Sequence, residues 1–133
     1  MKQVEYLEKS ELARKYSFSP AVITRGGRTV WLSGQIAGRD ESGNDITGQF
    51  EPQVRTIFSL MEKTLRKAGG SLADLVTMTV YVTDPRYLDR FAELRRGVFA
   101  DENFPASTFI TVSALPFPGI VVEITGTAVV DDG

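Results

Sequence analysis

Apolar positions recur at helical spacing over residues 52–68. Pro52 suits the first turn of a helix, where its missing N–H has no intrahelical partner to lose. Gly69 and Gly70 follow, and glycine readily takes the left-handed conformation that ends helices. The apolar face consists of Val54, Ile57, Phe58, Met61, Leu65 and Ala68. This pattern predicts a core helix with no chemistry of its own.

Residues 75–83 alternate between apolar and hydroxyl-bearing side chains, which predicts a strand with one face on helices and the other face half polar. The apolar set is Val76, Met78, Val80 and Val82, and the polar set is Thr77, Thr79, Tyr81 and Thr83. Asp84 and Pro85 then supply a helix cap and a first-turn proline. The buried side of this second helix carries Leu88, Phe91, Leu94 and Val98.

Four further strands complete the predicted order. Residues 22–24 and 29–34 flank Gly26-Gly27, which predicts strand, turn, strand. Residues 106–112 and 120–130 are the last two strands, separated by a turn-forming stretch. The order β-β-α-β-α-β-β predicts an α+β fold over residues 1–133 as a single domain, with two helices on one face of a mixed sheet. The other face stays uncovered, so we expect oligomerisation to bury it.

Composition narrows the chemistry more than the pattern does. The chain has 133 residues and contains neither cysteine nor histidine. Thiol nucleophiles, zinc thiolates and imidazole bases are therefore excluded, and we predict no metal and no cofactor. Reactions must rely on carboxylates, hydroxyls, amines, guanidinium groups or backbone amides.

Charge and hydropathy indicate the surroundings of the protein. The net charge is -2, with basic residues scattered among acidic ones, so neither nucleic acid nor an anionic membrane is an expected partner. No segment is apolar enough to span a bilayer, and charges stand where a signal peptide would place its apolar stretch. We expect a cytoplasmic location.

Glu123 is the strongest single candidate for catalysis. It lies in a strand that is otherwise apolar or hydroxyl-bearing, where a carboxylate loses solvation. Such a group can exchange protons with a water molecule. From the residues alone a structural role is favoured, with the carboxylate bonded to an Arg, a Lys or a backbone amide, because ion-pair networks also perturb carboxylates.

Other polar groups are candidates for ligand binding. Ser33 and Gly34, at the end of a strand, offer a hydroxyl and a backbone amide that a ligand can approach closely. Ser107 has no neighbouring base, so hydrogen bonding suits it better than nucleophilic attack. Arg95 and Arg96 are most simply a solvated helix edge, although arginine is also the residue suited to binding a carboxylate.

Several segments together resemble the RidA/YjgF family, also known by endoribonuclease names. Each segment is weak alone, but they occur in the family's order over nearly the whole chain. They are Leu32-Ser33-Gly34-Gln35-Ile36, Gln53-Val54-Arg55 through to Ala68-Gly69, Asp74-Leu75-Val76, Val80-Tyr81-Val82-Thr83-Asp84, Phe104-Pro105-Ala106, Leu115-Pro116 and Val122-Glu123-Ile124.

The resemblance implies a chorismate-mutase-like fold and a homotrimer with a central barrel and a small-molecule cleft at each subunit interface. Family enzymes hydrolyse imines and enamines to a keto acid and ammonia. An arginine binds the substrate carboxylate, and a glutamate handles the water. The glutamate corresponds to Glu123, and the strand-end pocket to Ser33 and Gly34.

The chain departs from the family pattern at the binding site. The arginine that follows the Pro-Ala pair is replaced by Ser107, and the family's pocket cysteine by Phe109. A tyrosine near the first strand corresponds to Ala21, and an asparagine on the second helix to Ala92. A charge-assisted bidentate pair in a cleft is worth roughly 2–5 kcal/mol, so ordinary 2-aminoacrylate deamination is not expected.

Three functions remain open from the sequence. The first is a hydrolytic deaminase of imine or enamine metabolites with an altered substrate range, in which a distant substrate carboxylate reaches Arg95 or Arg96. The second is a non-catalytic trimer that binds a small molecule, favoured by the apolar Phe109. The third, RNA cleavage, has little support because the chain lacks histidine and a basic stripe.

Overall fold

The computed structural model describes residues 1–133 and contains six strands and three α-helices. The strands are β1 (Gln3–Tyr6), β2 (Val22–Arg25), β3 (Arg28–Gln35), β4 (Leu75–Val82), β5 (Ala106–Thr111) and β6 (Val122–Val130). The helices are α1 (Glu11–Lys15), α2 (Phe50–Lys67) and α3 (Leu88–Val98). None of the helices combines the length and the apolar character needed to cross a membrane.

The main sheet has the order β3-β6-β4-β5. Strands β4 and β5 are parallel, whereas β6 is antiparallel to both of its neighbours, so the sheet is mixed. Helices α2 and α3 bury their apolar sides in one core with the same face of this sheet. The predicted α+β architecture, with two principal helices on a mixed sheet, is confirmed.

The strands on either side of Gly26-Gly27 form as predicted, but they do not pair with each other. Strand β2 pairs with β1 in a separate two-stranded sheet, and β3 pairs with β6. A side-chain Cβ at Gly27 would lie 2.6 Å from the carbonyl oxygen of Val130, so the turn is pressed against the end of β6. The glycines therefore carry the chain from one sheet to the other.

The side chain of Gln53, fully buried in α2, connects the helix to two chain segments near the start of β6. Its Nε2 donates to the carbonyl oxygens of Ile46 and Gly119 at 2.9 and 2.8 Å. Its Oε1 accepts from the N–H of Val121 at 3.0 Å. One amide thus satisfies three backbone groups and fixes the chain that leads into β6.

Replacing Gln53 with leucine keeps the volume but leaves the N–H of Val121 without a partner. It also removes one of the two hydrogen bonds to each carbonyl oxygen, so that Ile46 and Gly119 keep only the bonds from the N–H groups of Gln49 and Gly48. We expect Gln53→Leu to lower the free energy of unfolding by about 3 kcal/mol, measured by denaturant titration. Gln49→Leu is the control, because Gln49 is exposed and should change stability by less than about 0.5 kcal/mol. Equal stability of the two variants would contradict the bridging role of Gln53.

Candidate functional site

Glu123 lies on the face of the sheet that carries no helix. It pairs with Tyr81 of β4, while its neighbours Val122 and Ile124 point into the core. A Cβ at Gly34 would overlap Oε2 of Glu123, so the absence of a side chain at Gly34 makes room for the carboxylate. The structure therefore brings Gly34 and Glu123 together, with exposed Ser33 beside them on β3.

The carboxylate of Glu123 has no partner inside its own chain. It takes part in none of the ion pairs of the structure, and the acids that do are elsewhere. The side chain is half-buried rather than exposed. The structural role considered from the sequence, a Glu123 tied to a cation, is thus not what this chain provides on its own.

Arg95 is not on a solvated helix edge, and that expectation is wrong. Only 2% of the residue is exposed, and its guanidinium carbon lies 4.9 Å from the ring centre of Phe91. The neighbouring Arg96 is the exposed member of the pair and donates to the carbonyl oxygens of Arg14 and Lys15. The two adjacent arginines therefore have different surroundings.

The guanidinium of Arg95 reaches the residue that stands where the family arginine is expected. Its Nη1 donates to Oγ of Ser107 at 2.6 Å. Its Nη2 donates to the carbonyl oxygen of Tyr16 at 3.0 Å, and its Nε lies 3.4 Å from Oγ of Ser17. The guanidinium comes from α3 and lies beside the β5 position to which the resemblance assigns the family arginine.

All three partners of Arg95 are neutral, so its charge is not compensated within the chain. Burial lowers the pKa of Arg95 to about 10 because the charged form loses solvation. The side chain still carries its full charge at neutral pH. A buried cation without a counter-ion, next to an open pocket, favours the binding of an anion.

Arg95 lines a pocket with a volume of about 410 Å³. The polar residues of the lining are Arg95, Ser107, Thr108 and Tyr16, and the apolar residues are Leu12, Phe18, Leu88 and Phe109. Three of the predicted binding residues thus meet in one pocket: Arg95, Ser107 and Phe109. Elsewhere, no group of acidic side chains is arranged to hold a metal ion.

Part of the pocket comes from a segment that the sequence patterns do not identify. Helix α1 has only five residues, too few for a periodic signal, and contributes Leu12. After it the chain reverses at Ser17, which has a φ of 56°, and this brings Tyr16 and Phe18 to the pocket. The resemblance matches the family tyrosine to Ala21, whereas the tyrosine of this pocket is Tyr16.

The two halves of the predicted site lie on opposite faces of the sheet. Ser107 pairs with Met78 on the helix side, where Phe109 packs 5.8 Å from Phe91 between ring centres. Glu123 faces the other side. Within one chain they do not form a common cleft. Because β5 is an edge strand, its pocket is accessible to a second copy of the chain.

Comparison with known proteins identifies the class. The sequence profile of the Endoribonuclease L-PSP family matches residues 8–130. The chain is 30% identical over 112 residues to human 2-iminobutanoate/2-iminopropanoate deaminase, covering 84% of this chain and 79% of the human protein. It is 33% identical to a RutC family protein from Aquifex aeolicus, covering 74% and 78% of the two chains.

Solved structures agree with these relatives. A Rid-family protein of unknown function, YyfB from Yersinia pestis, superposes with a TM-score of 0.82 at 26% identity, over 97% of this chain and 98% of that chain. RidA from an Antarctic Psychrobacter superposes with a TM-score of 0.70 at 32% identity, over 85% and 88%. The fold is that of the Rid class. The chain belongs to the RidA/YjgF family, as the segment order predicted.

The contact between Gly34 and Glu123 can be tested directly. In Gly34→Ala the new methyl group would overlap the carboxylate, which must rotate away. Because that carboxylate ends a flexible side chain, we expect stability to fall by less than about 1 kcal/mol while a crystal structure shows Glu123 displaced. Gly97→Ala, which meets open space, is the control and should leave Glu123 in place. An unmoved Glu123 in Gly34→Ala would refute the contact.

Proposed function

We propose that the protein is a hydrolytic deaminase of imine or enamine metabolites that carry a carboxylate. The observation that carries this proposal is the buried guanidinium of Arg95, hydrogen-bonded to Ser107 and without an acidic partner. In this proposal the carboxylate-binding arginine of the family is replaced by Arg95, which lies on α3 and not on β5. The substrate range of the protein differs because the arginine is on another element, and not because an arginine is lost.

Arg95 binds the substrate carboxylate with the donors it has left. A guanidinium has five N–H groups, and three of them have partners within the chain. The remaining two, one on each terminal nitrogen, suit a carboxylate with two oxygens. Ser107 holds the guanidinium in position and offers its own hydroxyl proton, while Phe109 contacts the body of the substrate.

Glu123 supplies the proton transfers. Water adds to the imine carbon as Glu123 accepts one of its protons and passes it to nitrogen, which gives a carbinolamine. Glu123 then takes the proton of the new hydroxyl and delivers it to the amino group, so that the carbonyl forms as the C–N bond breaks and ammonia leaves. Cleavage of the C–N bond gives the keto acid. An enamine substrate first gains a proton at carbon and loses one from nitrogen to become the imine. Ser33 and the amide of Gly34 bind the oxygen introduced by water.

These groups act together in a cleft between two copies of the chain, in a homotrimer with a central barrel. Two features support this assembly. Glu123 and Ser107 are on opposite faces of the sheet. The helix-free face also carries apolar side chains in the open: Trp31 is 80% exposed and Ile110 is 40% exposed. Apolar groups in that position favour burial against another subunit.

A non-catalytic binding trimer is the second candidate. The pocket itself contains no carboxylate, and Arg95 and Tyr16 are its only ionisable side chains. Such a lining binds an anion without providing a general base. The two candidates differ in whether bound imine is turned over.

The roles of Arg95 and Glu123 predict separate kinetic defects. With imines generated in situ from amino acids, ammonia release above the uncatalysed rate should fall about 10²- to 10⁴-fold in Glu123→Gln. In Arg95→Met, kcat/KM should fall roughly a hundredfold. Arg95→Lys should recover part of this loss, because lysine keeps the positive charge but cannot donate two parallel hydrogen bonds to a carboxylate.

Arg96→Met is the matched control, since its guanidinium bonds only to backbone carbonyls outside the pocket and its loss should leave kcat/KM within about twofold. Turnover that is equal in Glu123→Gln and the unmodified protein would exclude the enzymatic proposal. Ligand binding without any turnover in the unmodified protein would favour the binding trimer.

A cleft built by two subunits predicts complementation between inactive variants. Co-expressed Glu123→Gln and Arg95→Met subunits, mixed at random in equal amounts, should regain about one quarter of the activity, because that fraction of clefts receives both intact residues. Assayed separately, each variant should retain about 1% of the activity or less. Absence of recovery in verified mixed oligomers would place both residues in a site within one chain and exclude the cleft between subunits.

A further inference from the structure

We propose that the preferred substrate is a monocarboxylic imino or enamino acid with a large apolar substituent, branched or aromatic. This inference rests on the proposed function and specifies its substrate class. The observation behind it is a single uncompensated guanidinium, with two hydroxyl-bearing residues, in a pocket whose remaining lining is aliphatic or aromatic.

The size of the pocket exceeds what the smallest substrates need. Its volume of about 410 Å³ falls in the range of sites for ligands of many atoms, about 300–1,000 Å³. An imino acid with only a methyl or ethyl group would leave most of this space filled with water. A larger apolar group displaces that water and gains the free energy of burial.

The charge distribution of the pocket restricts the ligand to one carboxylate. Arg95 is the only cationic side chain in the lining, and no acidic side chain accompanies it. A second carboxylate on the substrate would be desolvated without a cationic partner, and the one carboxylate of the proposed cleft, Glu123 of a neighbouring copy, is occupied with proton transfer. The remainder of the ligand must therefore be neutral and mostly apolar.

The walls indicate where the apolar group lies. Phe109 is held by its contact with Phe91 and forms a rigid surface next to Ser107. Leu88 and Phe18 are half-buried around it. Leu12 of α1 lines the same pocket, yet it is 61% exposed in the free chain. An exposed leucine at the rim of an apolar pocket can be covered by the ligand itself.

Reactions that supply such a substrate are two-electron oxidations, by a separate oxidase or dehydrogenase, of amino acids with large apolar side chains, because these side chains carry no leaving group for elimination. The product consumed downstream is the corresponding 2-keto acid. Both statements follow from the carbon skeleton that the pocket accepts.

Stable carboxylates test this specificity without chemistry. We would measure dissociation constants by calorimetry for acetate, butanoate, 4-methylpentanoate and 3-phenylpropanoate, with 3-phenylpropan-1-ol as the uncharged control. Affinity should rise about threefold to fourfold for each added buried methylene, and the alcohol should bind at least about tenfold more weakly than its matching acid. Equal affinity for acetate and 3-phenylpropanoate would overturn the proposal, as would equal affinity for the acid and the alcohol.

Substitution of Leu12, at the edge of the pocket, distinguishes binding in this pocket from nonspecific binding to exposed apolar side chains. Leu12→Ser should weaken 3-phenylpropanoate about fivefold while changing acetate less than about twofold. Ile23→Ser is the matched control, because Ile23 is 48% exposed on β2 and does not line the pocket. Loss of 3-phenylpropanoate affinity that is equal in both variants would contradict the assignment of Leu12.

Failure of the substrate class and failure of the proposed function give different results. Turnover of small imines with no preference for apolar carboxylates would refute the size inference and leave the deaminase intact. Size-selective binding in a protein that releases no ammonia from any imine would refute the deaminase and leave the pocket assignment standing.

Discussion

The hydrogen bond between Arg95 and Ser107 determines where the positive charge of the pocket lies. A guanidinium that is almost completely buried needs oxygen partners, and here it has two hydroxyls and a backbone carbonyl, together with the ring of Phe91. A second guanidinium at position 107 would place two like charges together in a poorly solvated space. The serine is thus the complement of the arginine on α3, and the two residues should be considered as one unit.

The position of Arg95 explains why the sequence did not disclose this unit. The helical spacing did contain a signal: Arg95 is four residues after Phe91 and follows Leu94 directly, so it falls on or beside the buried side of α3. Because arginine is charged, Arg95 was grouped with the exposed arginines. Sequence comparison looks for a cation at the same chain position, whereas the pocket requires one only at the same point in space.

Other features were accessible from the sequence to different degrees. The periodic segments predicted α2, α3 and β4 correctly, because long amphipathic patterns depend on burial that the fold then provides. The partner of β2 was not accessible, since a pair of glycines permits either a hairpin or a change of sheet. Helix α1 was not predicted because it is too short to show a periodic pattern, and the pocket residues Leu12 and Tyr16 were therefore not identified. Glu123 was found because a charge in an apolar strand is conspicuous.

The most direct test of the central claim, that Arg95 takes over the carboxylate-binding role, is a crystal structure of the protein with a stable carboxylate bound. We expect both carboxylate oxygens within hydrogen-bonding distance of Arg95 and Ser107, with Glu123 of a neighbouring copy across the cleft. A carboxylate bound away from Arg95, or a pocket closed to every other copy, would contradict that claim.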